Sequence, residues 1–187
     1  MHNIYKGKTV LVTGHTGFKG AWMVIWLKKL GAKVIGVSNK VLTKPSIYEA
    51  ADISDSITDI RLDITDFNKL NKVILKYKPD IIFHLAAQSL VGESYKEPYK
   101  TMQTNGIGTM NIVESLRQIN RKVTAVIITS DKVYDNVEWL WGYKETDLIG
   151  GKDPYSASKG LAELVLKSYF YSFFSHPSSK VRIAIAR

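Results

Sequence analysis

Short apolar stretches rich in valine and isoleucine alternate with longer amphipathic stretches along the whole chain. The short stretches predict β-strands at residues 8–13, 33–37, 57–62, 80–85, 123–129 and 181–186. The longer stretches, in which apolar residues recur with a helical period, predict helices at residues 18–30, 67–77, 99–119 and 155–174. Because neighbouring parallel strands need a crossover connection, this alternation predicts an α/β fold whose parallel sheet is covered by helices on both faces.

Length and composition agree with one folded domain. The chain has 187 residues, of which 45% are hydrophobic and 23% charged, and no Pro-rich or Gly/Ser-rich linker divides it. The absence of cysteine excludes disulfides and thiolate metal sites and agrees with a reducing cytoplasm. The apolar runs are shorter than the roughly 18 residues that cross a bilayer, and residues 1–8 do not resemble a secretory leader. We therefore expect neither a membrane segment nor secretion.

The chain is basic, with a formal net charge of +9. This charge is compatible with a nucleic acid partner, an anionic substrate or a basic surface. Because the lysines are scattered and form no RNA-binding or zinc-finger signature, we expect no nucleic acid partner. His2, His15, His84 and His176 have no metal-ligand spacing, so no metal site is expected, and His84 is interpreted as structural.

The first predicted strand ends in a glycine-rich turn that precedes the first predicted helix. Its residues are Gly14, His15, Thr16, Gly17, Phe18, Lys19 and Gly20. Glycines allow the backbone to approach a pyrophosphate, and the free N–H groups at the start of a helix attract its charge. The turn therefore predicts a dinucleotide site, with simple packing of helix against strand as the alternative.

The second predicted strand ends without the carboxylate that usually binds the adenosine ribose. Residues 37–40 read Val-Ser-Asn-Lys, so this rule does not decide between NAD and NADP. Ser38 or Asn39 would bind a ribose hydroxyl, whereas Lys40 or Lys44 would bind a 2′-phosphate or face water.

Asp63 follows the third predicted strand. It is suited to accept a hydrogen bond from the adenine amino group. The alternative is a capping role for the next helix, for which Thr65 or Asp66 is better placed.

Five polar residues form a candidate catalytic group. Tyr155 and Lys159 are four apart and share one face of a predicted helix, where an ammonium would lower the pKa of the phenol and make it a base. Ser130, Asp131 and Lys132 follow the fifth predicted strand, at the sheet edge where ligands bind in such folds. The alternatives are a turn cap for Ser130 or Asp131 and a chance pairing on the helix.

These motifs together resemble a known family. The segments TGHTGFKG, HLAAQ, TNGIGT, TSDK and YSASK, in this order, resemble the extended short-chain dehydrogenase/reductases. Within that family, residues 134–159 are most similar to the CDP-glucose 4,6-dehydratases, and Ser-Asp-Lys stands where other dehydratases have Thr-Asp-Glu. The resemblance covers nearly the whole chain and implies a Rossmann-type doubly wound parallel sheet.

The resemblance also implies a role for each catalytic residue. Tyr155 would remove the proton of the sugar 4-hydroxyl, with Lys159 as its electrostatic partner and Ser130 bonded to the same hydroxyl. Asp131 would protonate the departing 6-hydroxyl. Lys132 would act at C5, either as a neutral base or as a charged group that stabilises the enolate.

The implied cofactor is NAD, and the implied substrate is a nucleotide sugar, CDP-glucose. The cofactor contacts would be Gly14, Thr16, Gly17, Phe18, Lys19, Gly20, Ser38, Asp63, Ile64, Leu85, Ala86, Ala87, Asn105, Thr129, Tyr155 and Lys159. Gln88 and Ser130 would contact the substrate.

The reaction implied is oxidation at C4, loss of water across C5 and C6, and return of the hydride to C6. Alternatives are a 4-epimerase, another sugar-nucleotide dehydratase, or a non-catalytic NAD-binding regulator. Residues 1–187 would form the NAD-binding domain and stop before the C-terminal substrate domain of the family. Relatives pair through the helices that begin near Tyr99 and Tyr155, so a homodimer or higher homo-oligomer is expected.

Overall fold

The computed structural model describes residues 4–187 and contains one six-stranded sheet. The strands are β1 (Thr9–Thr13), β2 (Lys33–Ser38), β3 (Thr58–Arg61), β4 (Ile81–His84), β5 (Val123–Ile128) and β6 (Val181–Ala186). Their order is β3-β2-β1-β4-β5-β6, and all neighbouring pairs are parallel. The predicted doubly wound Rossmann-type sheet is thereby confirmed.

Eight α-helices connect and extend these strands in the described part of the chain. They are α1 (Phe18–Lys29), α2 (Ile47–Ala50), α3 (Ile53–Ser56), α4 (Phe67–Tyr77), α5 (Val91–Lys96), α6 (Pro98–Met102), α7 (Gly108–Arg117) and α8 (Pro154–Tyr169). Two π-helical turns, Gln103–Ile107 and Phe170–Phe174, continue α6 into α7 and extend α8. The helix predicted at 99–119 is therefore interrupted by a wider turn, and the helix predicted at 155–174 ends in one.

The sheet separates two hydrophobic clusters. Val10 and Val12 of β1 pack with Val24 and Leu27 of α1 on one face. Leu11, between those two valines, points to the opposite cluster, which includes residues of α4, α7 and α8. This alternation along β1 is the period of two that a strand imposes, and it explains why a run of consecutive apolar residues is fully buried.

The chain reverses its winding direction between β1 and β4. The second strand in sequence lies on one side of β1, and the fourth lies on the other. In open parallel sheets a ligand binds at such a switch point, outside the carboxyl ends of the strands. In this sheet that position lies above the glycine turn after β1 and the residues after β4 and β5.

The short helices α2, α3 and α5 were not predicted. Each is four to six residues long, too short for a helical period to appear in the sequence. A local signal was present for α2, because Ser46 caps it by accepting a hydrogen bond from the backbone N–H of Glu49. Within residues 4–187, no helix has the length and apolar character to span a membrane.

Candidate active site

The glycine turn after β1 is packed too closely for side chains at two of its positions. Gly14 has φ of 75°, and a Cβ there would lie 2.7 Å from the backbone nitrogen of Ala86. A Cβ on Gly20 would overlap the carbonyl oxygen of Gly14. The close approach of α1 to β1 and β4 therefore requires glycine at both positions.

The start of α1 is free to bind an anion. Gly17 is its N-cap and offers no side-chain cap, and the first turn has no acidic residue. The first backbone N–H groups of α1 lack partners from a capping side chain, so a phosphate would satisfy them. Phe18 and Lys19 are exposed beside this end, and Phe18 lines an open apolar cleft with Leu85 and Ile128.

Thr16 ties the glycine turn to the end of β2. Its hydroxyl is 2.8 Å from the Ser38 hydroxyl and donates to the Lys40 carbonyl over 2.8 Å. Ser38, the residue predicted to meet a ribose, is thus brought to the cradle. The segment that follows β2 is held in place by the same contact.

Asp63 organises the turn before α4. One of its carboxylate oxygens accepts hydrogen bonds from the backbone N–H and the hydroxyl of Thr65, over 2.9 and 2.8 Å. Asp66 caps α4 by accepting from Lys69 N–H. Asp63 thus stabilises the turn before α4, and Asp66 is the residue that caps the helix. Ile64, also predicted at the cofactor, has its side chain in the core.

His84 is buried in a network of hydroxyl groups. Its Nδ1 lies 2.7 Å from Thr13 Oγ1, and its Nε2 lies 3.2 Å from Thr109 Oγ1. The Thr13 hydroxyl also accepts from the backbone N–H of Ala86. Burial lowers the pKa of His84 to about 3, with a smaller contribution from the Lys159 charge. A neutral, fully bonded ring agrees with the structural role predicted for His84.

Asn105 and Gln88 are occupied by contacts within the protein. The Asn105 side chain accepts from Gln88 N–H over 2.8 Å and donates to the Gln88 carbonyl over 3.0 Å and to the Ser158 hydroxyl over 2.7 Å. The Gln88 side chain is bonded to the backbone of Leu90 and to the Thr101 hydroxyl. Both residues, predicted as ligand contacts, connect the segment after β4 to the helices beside it.

The segment after β5 forms one tight turn. Asp131–Val133 is a short 3-10 helix whose N-cap is Ser130. The Ser130 hydroxyl accepts from Lys132 N–H over 3.1 Å and donates to the Asp131 carboxylate over 2.9 Å. The turn presents the exposed side chains of Asp131 and Lys132 at the sheet edge. The capping alternative for Ser130 is therefore correct, and it is compatible with a place in the site.

Helix α8 carries Tyr155 and Lys159 into the same region. It starts at Pro154, and the Asp153 side chain caps it by accepting from the backbone N–H groups of Tyr155 and Ser156. Tyr155 and Lys159 are 8% and 6% exposed, and the Lys159 ammonium lies 5.9 Å from the centre of the Tyr155 ring. The predicted pair is thus on one buried helix face.

The pKa of the Tyr155 phenol is raised, contrary to the prediction that the Lys159 ammonium lowers it. Burial raises the pKa of the phenol above its usual value, and the charges of Asp131 and Asp153 act in the same direction. Only a contact with the Ser130 hydroxyl lowers it. The effects of Ser130 and Asp131 indicate that the phenol lies near the Ser130–Asp131 turn, which packs against α8.

Lys159 has a lowered pKa, about 8, chiefly because it is buried and secondly because of the Lys19 charge. The glycine turn and α8 therefore place two ammonium groups close enough to repel each other. An anion bound beside the start of α1 would relieve this repulsion. The chemistry of the cradle and that of the catalytic helix are thus electrostatically linked.

Three residues at the site were missed by the sequence reasoning. Glu163 and Arg187 form a bidentate ion pair, and Tyr134 is bonded to the Arg187 guanidinium over 2.6 Å. Glu163 lies four residues after Lys159, so its position on the same helix face was available from the spacing. No local pattern indicated Arg187, because its partners are distant in sequence.

The residues around the switch point fit a dinucleotide better than a metal. The glycine cradle, the uncapped start of α1 and the two lysines all suit phosphate oxygens. Across residues 4–187, no cluster of three or more histidine, aspartate or glutamate side chains is arranged to hold a metal ion. His2, included in the prediction on metals, lies outside the described residues.

A family model described as GDP-mannose 4,6 dehydratase matches residues 11–180, which include the glycine turn, the Ser130 turn and α8. The chain belongs to this family. The resemblance predicted from the motifs is thereby confirmed. The match begins within β1, covers β2 to β5 completely and ends just before β6.

Curated proteins with similar sequences include a dehydratase and an epimerase of nucleotide sugars. A CDP-glucose 4,6-dehydratase of Salmonella typhimurium is 48% identical over 173 residues, covering 92% of this chain and 48% of the relative. A UDP-glucose 4-epimerase of Mycolicibacterium smegmatis is 29% identical, covering 85% of this chain and 50% of the relative. The chain therefore spans about half the length of the curated relatives it matches.

A solved structure shows the same fold. The UDP-glucose 4-epimerase of Thermus thermophilus in complex with NAD has a TM-score of 0.76 and is 28% identical, covering 88% of this chain and 51% of that chain. As a group the relatives include both dehydratases and epimerases. Choosing between these activities requires the individual residues of the site.

Proposed function

We propose that the protein containing this chain is an NAD-dependent dehydratase that converts CDP-glucose to CDP-4-keto-6-deoxyglucose. The observation that carries this proposal is the placement of Ser130, Asp131 and Lys132 in one turn that faces Tyr155. Oxidation at C4 needs a base at the 4-hydroxyl, and elimination needs an acid at the 6-hydroxyl. The turn would supply Ser130 to assist Tyr155 in the oxidation, and Asp131 and Lys132 for the elimination.

The first step is removal of the 4-hydroxyl proton by Tyr155. Ser130 would share a hydrogen bond with the same hydroxyl, and its contact with Tyr155 lowers the pKa of the phenol. When bound, oxidised NAD supplies the hydride acceptor for C4, the hydride donor for C6, and a positive charge that further favours the phenolate.

Asp131 and Lys132 would catalyse the elimination step. Asp131 donates a proton to the 6-hydroxyl as water leaves. Lys132 is exposed beside Asp131 on the same turn. We propose that the Asp131 carboxylate takes the C5 proton and passes it to the departing 6-hydroxyl, while Lys132 stabilises the enolate formed between the two transfers.

NAD would be held by the glycine cradle and the groups around it. Gly14, Gly17 and Gly20 bring the backbone close to the pyrophosphate, and Lys19 lies beside it. Ser38 meets the adenosine ribose. The remaining predicted contacts at the adenine and nicotinamide ends, Asp63, Leu85, Ala86 and Ala87, stay proposals. Because the ribose rule leaves NADP open, the cofactor choice rests on the family and on the NAD complex of the Thermus relative.

The second candidate is a 4-epimerase, which the fold and several relatives favour. An epimerase oxidises C4 and returns the hydride there, so it has no need for an acid at C6. The Asp131–Lys132 pair favours the dehydratase. A non-catalytic NAD-binding regulator is disfavoured because it has no use for Ser130, Tyr155 and Lys159 together.

Incubation of the complete protein with CDP-, dTDP-, GDP- and UDP-glucose tests the proposal. Mass spectrometry should show loss of water from CDP-glucose with no net consumption of NAD. Steady reduction of added NAD, or an unchanged mass for all four nucleotides, would contradict it. Loss of water from another nucleotide alone would keep the chemistry and change the base.

The proposal includes the setting of this chain in the whole protein. Residues 1–187 form its NAD-binding domain, and a further domain supplies most contacts to the nucleotide sugar. The protein is a cytoplasmic homodimer or higher homo-oligomer that pairs through α6–α7 and α8. Sedimentation of the complete protein checks the oligomeric part.

A further inference from the structure

An ion pair between a buried glutamate and a partly exposed arginine lies beside the candidate catalytic groups. Glu163 is 2% exposed, and both of its carboxylate oxygens are bonded to the Arg187 guanidinium, over 2.8 and 2.5 Å. The hydrogen bond with Glu163 is the main reason why the pKa of Arg187 is raised. Paired charges in this position hold a fixed mutual geometry, because each would be costly to leave alone.

The pair has two further contacts, and they lie on either side of the catalytic turn. The Glu163 carboxylate accepts a hydrogen bond from the Thr129 hydroxyl over 2.8 Å, and Thr129 directly precedes Ser130. Arg187 donates to the Tyr134 hydroxyl over 2.6 Å, and Tyr134 directly follows the 3-10 turn. Both flanks of the segment 130–133 are therefore attached to one ion pair.

The same pair belongs to the helix that carries the base. Tyr155, Lys159 and Glu163 are spaced four residues apart on α8, so all three lie along one helix face. Arg187 follows β6, the strand that pairs with β5. The ion pair thus joins α8, the end of β5, the catalytic turn and the end of β6.

We propose that Glu163 and Arg187 are positioning residues that fix the distance between the Tyr155 phenol and the Ser130–Asp131 turn. They contact neither the reacting atoms nor the phosphate cradle. Their effect on the reaction passes through Thr129 and Tyr134, which set where the turn begins and ends. This inference rests on the proposed function for its activity readout, but its structural part does not depend on the substrate.

The test compares two Glu→Gln substitutions in the complete protein. Glu163→Gln keeps the size of the side chain and removes its charge. Glu114→Gln does the same to another Arg–Glu pair, formed with Arg117 on the exposed face of α7. Two milder variants, Thr129→Val and Tyr134→Phe, each remove one hydroxyl of the network and guard against failure of Glu163→Gln to fold.

We expect Glu163→Gln to lower kcat roughly tenfold to a hundredfold, the cost typical of a misplaced reacting group, with KM and NAD affinity changed by less than about threefold. Tyr134→Phe and Thr129→Val should each lower kcat in the same direction, and Glu114→Gln should not. A rise in KM without a fall in kcat would overturn the inference, and so would a wild-type kcat in both Glu163→Gln and Tyr134→Phe.

Hydrogen–deuterium exchange separates this inference from the proposed function. Amides of residues 130–134 should exchange faster in Glu163→Gln than in the wild type or in Glu114→Gln, whether or not the protein dehydrates a sugar. Unchanged exchange there would overturn the positioning role. An inactive wild type with the expected exchange pattern would overturn only the proposed function.

Discussion

Asn105 donates a hydrogen bond to the Ser158 hydroxyl over 2.7 Å, and this bond fastens the π turn before α7 to the helix of the candidate base. Asn105 is 2% exposed, and its other two hydrogen bonds satisfy the backbone N–H and carbonyl of Gln88. One amide therefore connects the segment after β4 with α8. Asn105 lies within the π turn Gln103–Ile107.

Replacing Asn105 by alanine should destabilise the protein markedly. It leaves the backbone N–H and carbonyl of Gln88 without their side-chain partner, and each buried polar group left unsatisfied costs ~1–3 kcal/mol. We expect a loss of about 3 kcal/mol in urea unfolding of the complete protein. Asn120→Ala, which removes an exposed bond to Lys180, is the control and should cost less than ~0.5 kcal/mol. Equal losses in the two variants would refute the bridging role.

Gly20→Ala should damage the cofactor cradle. The new methyl group would overlap the Gly14 carbonyl, so α1 must move away from the turn. Overpacking of this kind costs ~1–3 kcal/mol, and we expect NAD affinity to fall at least about tenfold, equal to ~1.4 kcal/mol. Isothermal titration calorimetry with NAD measures the change.

Gly92→Ala in α5 is the matched control for Gly20→Ala. A Cβ at position 92 meets no atom within 4 Å, and alanine favours a helix more than glycine does. NAD affinity should be unchanged. If both variants bind NAD like the wild type, the cradle is not the cofactor site.

The buried His84 should make the protein less stable in acid. Its pKa is about 3 in the folded protein and about 6.5 in an unfolded chain. Between these values the unfolded state binds more protons, so stability falls as the pH is lowered from about 6.5 towards 3. The contribution of His84 at pH 5 is a loss of about 2 kcal/mol.

Urea unfolding at pH 7 and pH 5 measures the acid effect. His84→Gln should show a smaller loss between the two pH values than the wild type, whatever its stability at pH 7. His176→Gln, at an exposed position, should keep the wild-type loss. An unchanged pH dependence in His84→Gln would mean that the ring takes up a proton without unfolding.

Asp131→Asn should stop elimination and leave oxidation at C4 intact. The amide cannot donate the proton that the 6-hydroxyl needs, and loss of a general acid costs roughly a hundredfold or more. Product formation should fall by that factor, while single-turnover reduction of bound NAD persists in stopped-flow absorbance. The exposed Asp55→Asn serves as control. A normal rate of water loss in Asp131→Asn would remove Asp131 from the mechanism.

Most of the fold could be predicted from the sequence because the strands and long helices have clear periods. The strand at 181–186 was predicted to the residue, and the others differ from the structure by at most two residues at either end. The π turns at Gln103–Ile107 and Phe170–Phe174 could not be predicted, because a single wider turn hardly changes the period of a long helix.

The site was predictable where its residues are close in sequence. Tyr155 with Lys159, and Ser130 with Asp131, were found from spacing and from the end of a strand. Arg187 was not, because only the pairing of β5 with β6 brings it to Glu163.

The pKa of Tyr155 was also beyond prediction from the sequence. The motif places an ammonium near the phenol but says nothing of burial or of the carboxylates of Asp131 and Asp153. The hydrogen-bond partners of Gln88 and Asn105 were beyond prediction for the same reason, because tertiary packing sets them.

The path of the C4 hydrogen tests the central claim most directly. The complete protein is incubated with CDP-glucose that carries deuterium at C4, and the product is analysed by NMR and mass spectrometry. The account predicts a product that has lost water and carries the deuterium at C6. Deuterium found again at C4 of a sugar that has kept its 6-hydroxyl would contradict it and identify an epimerase.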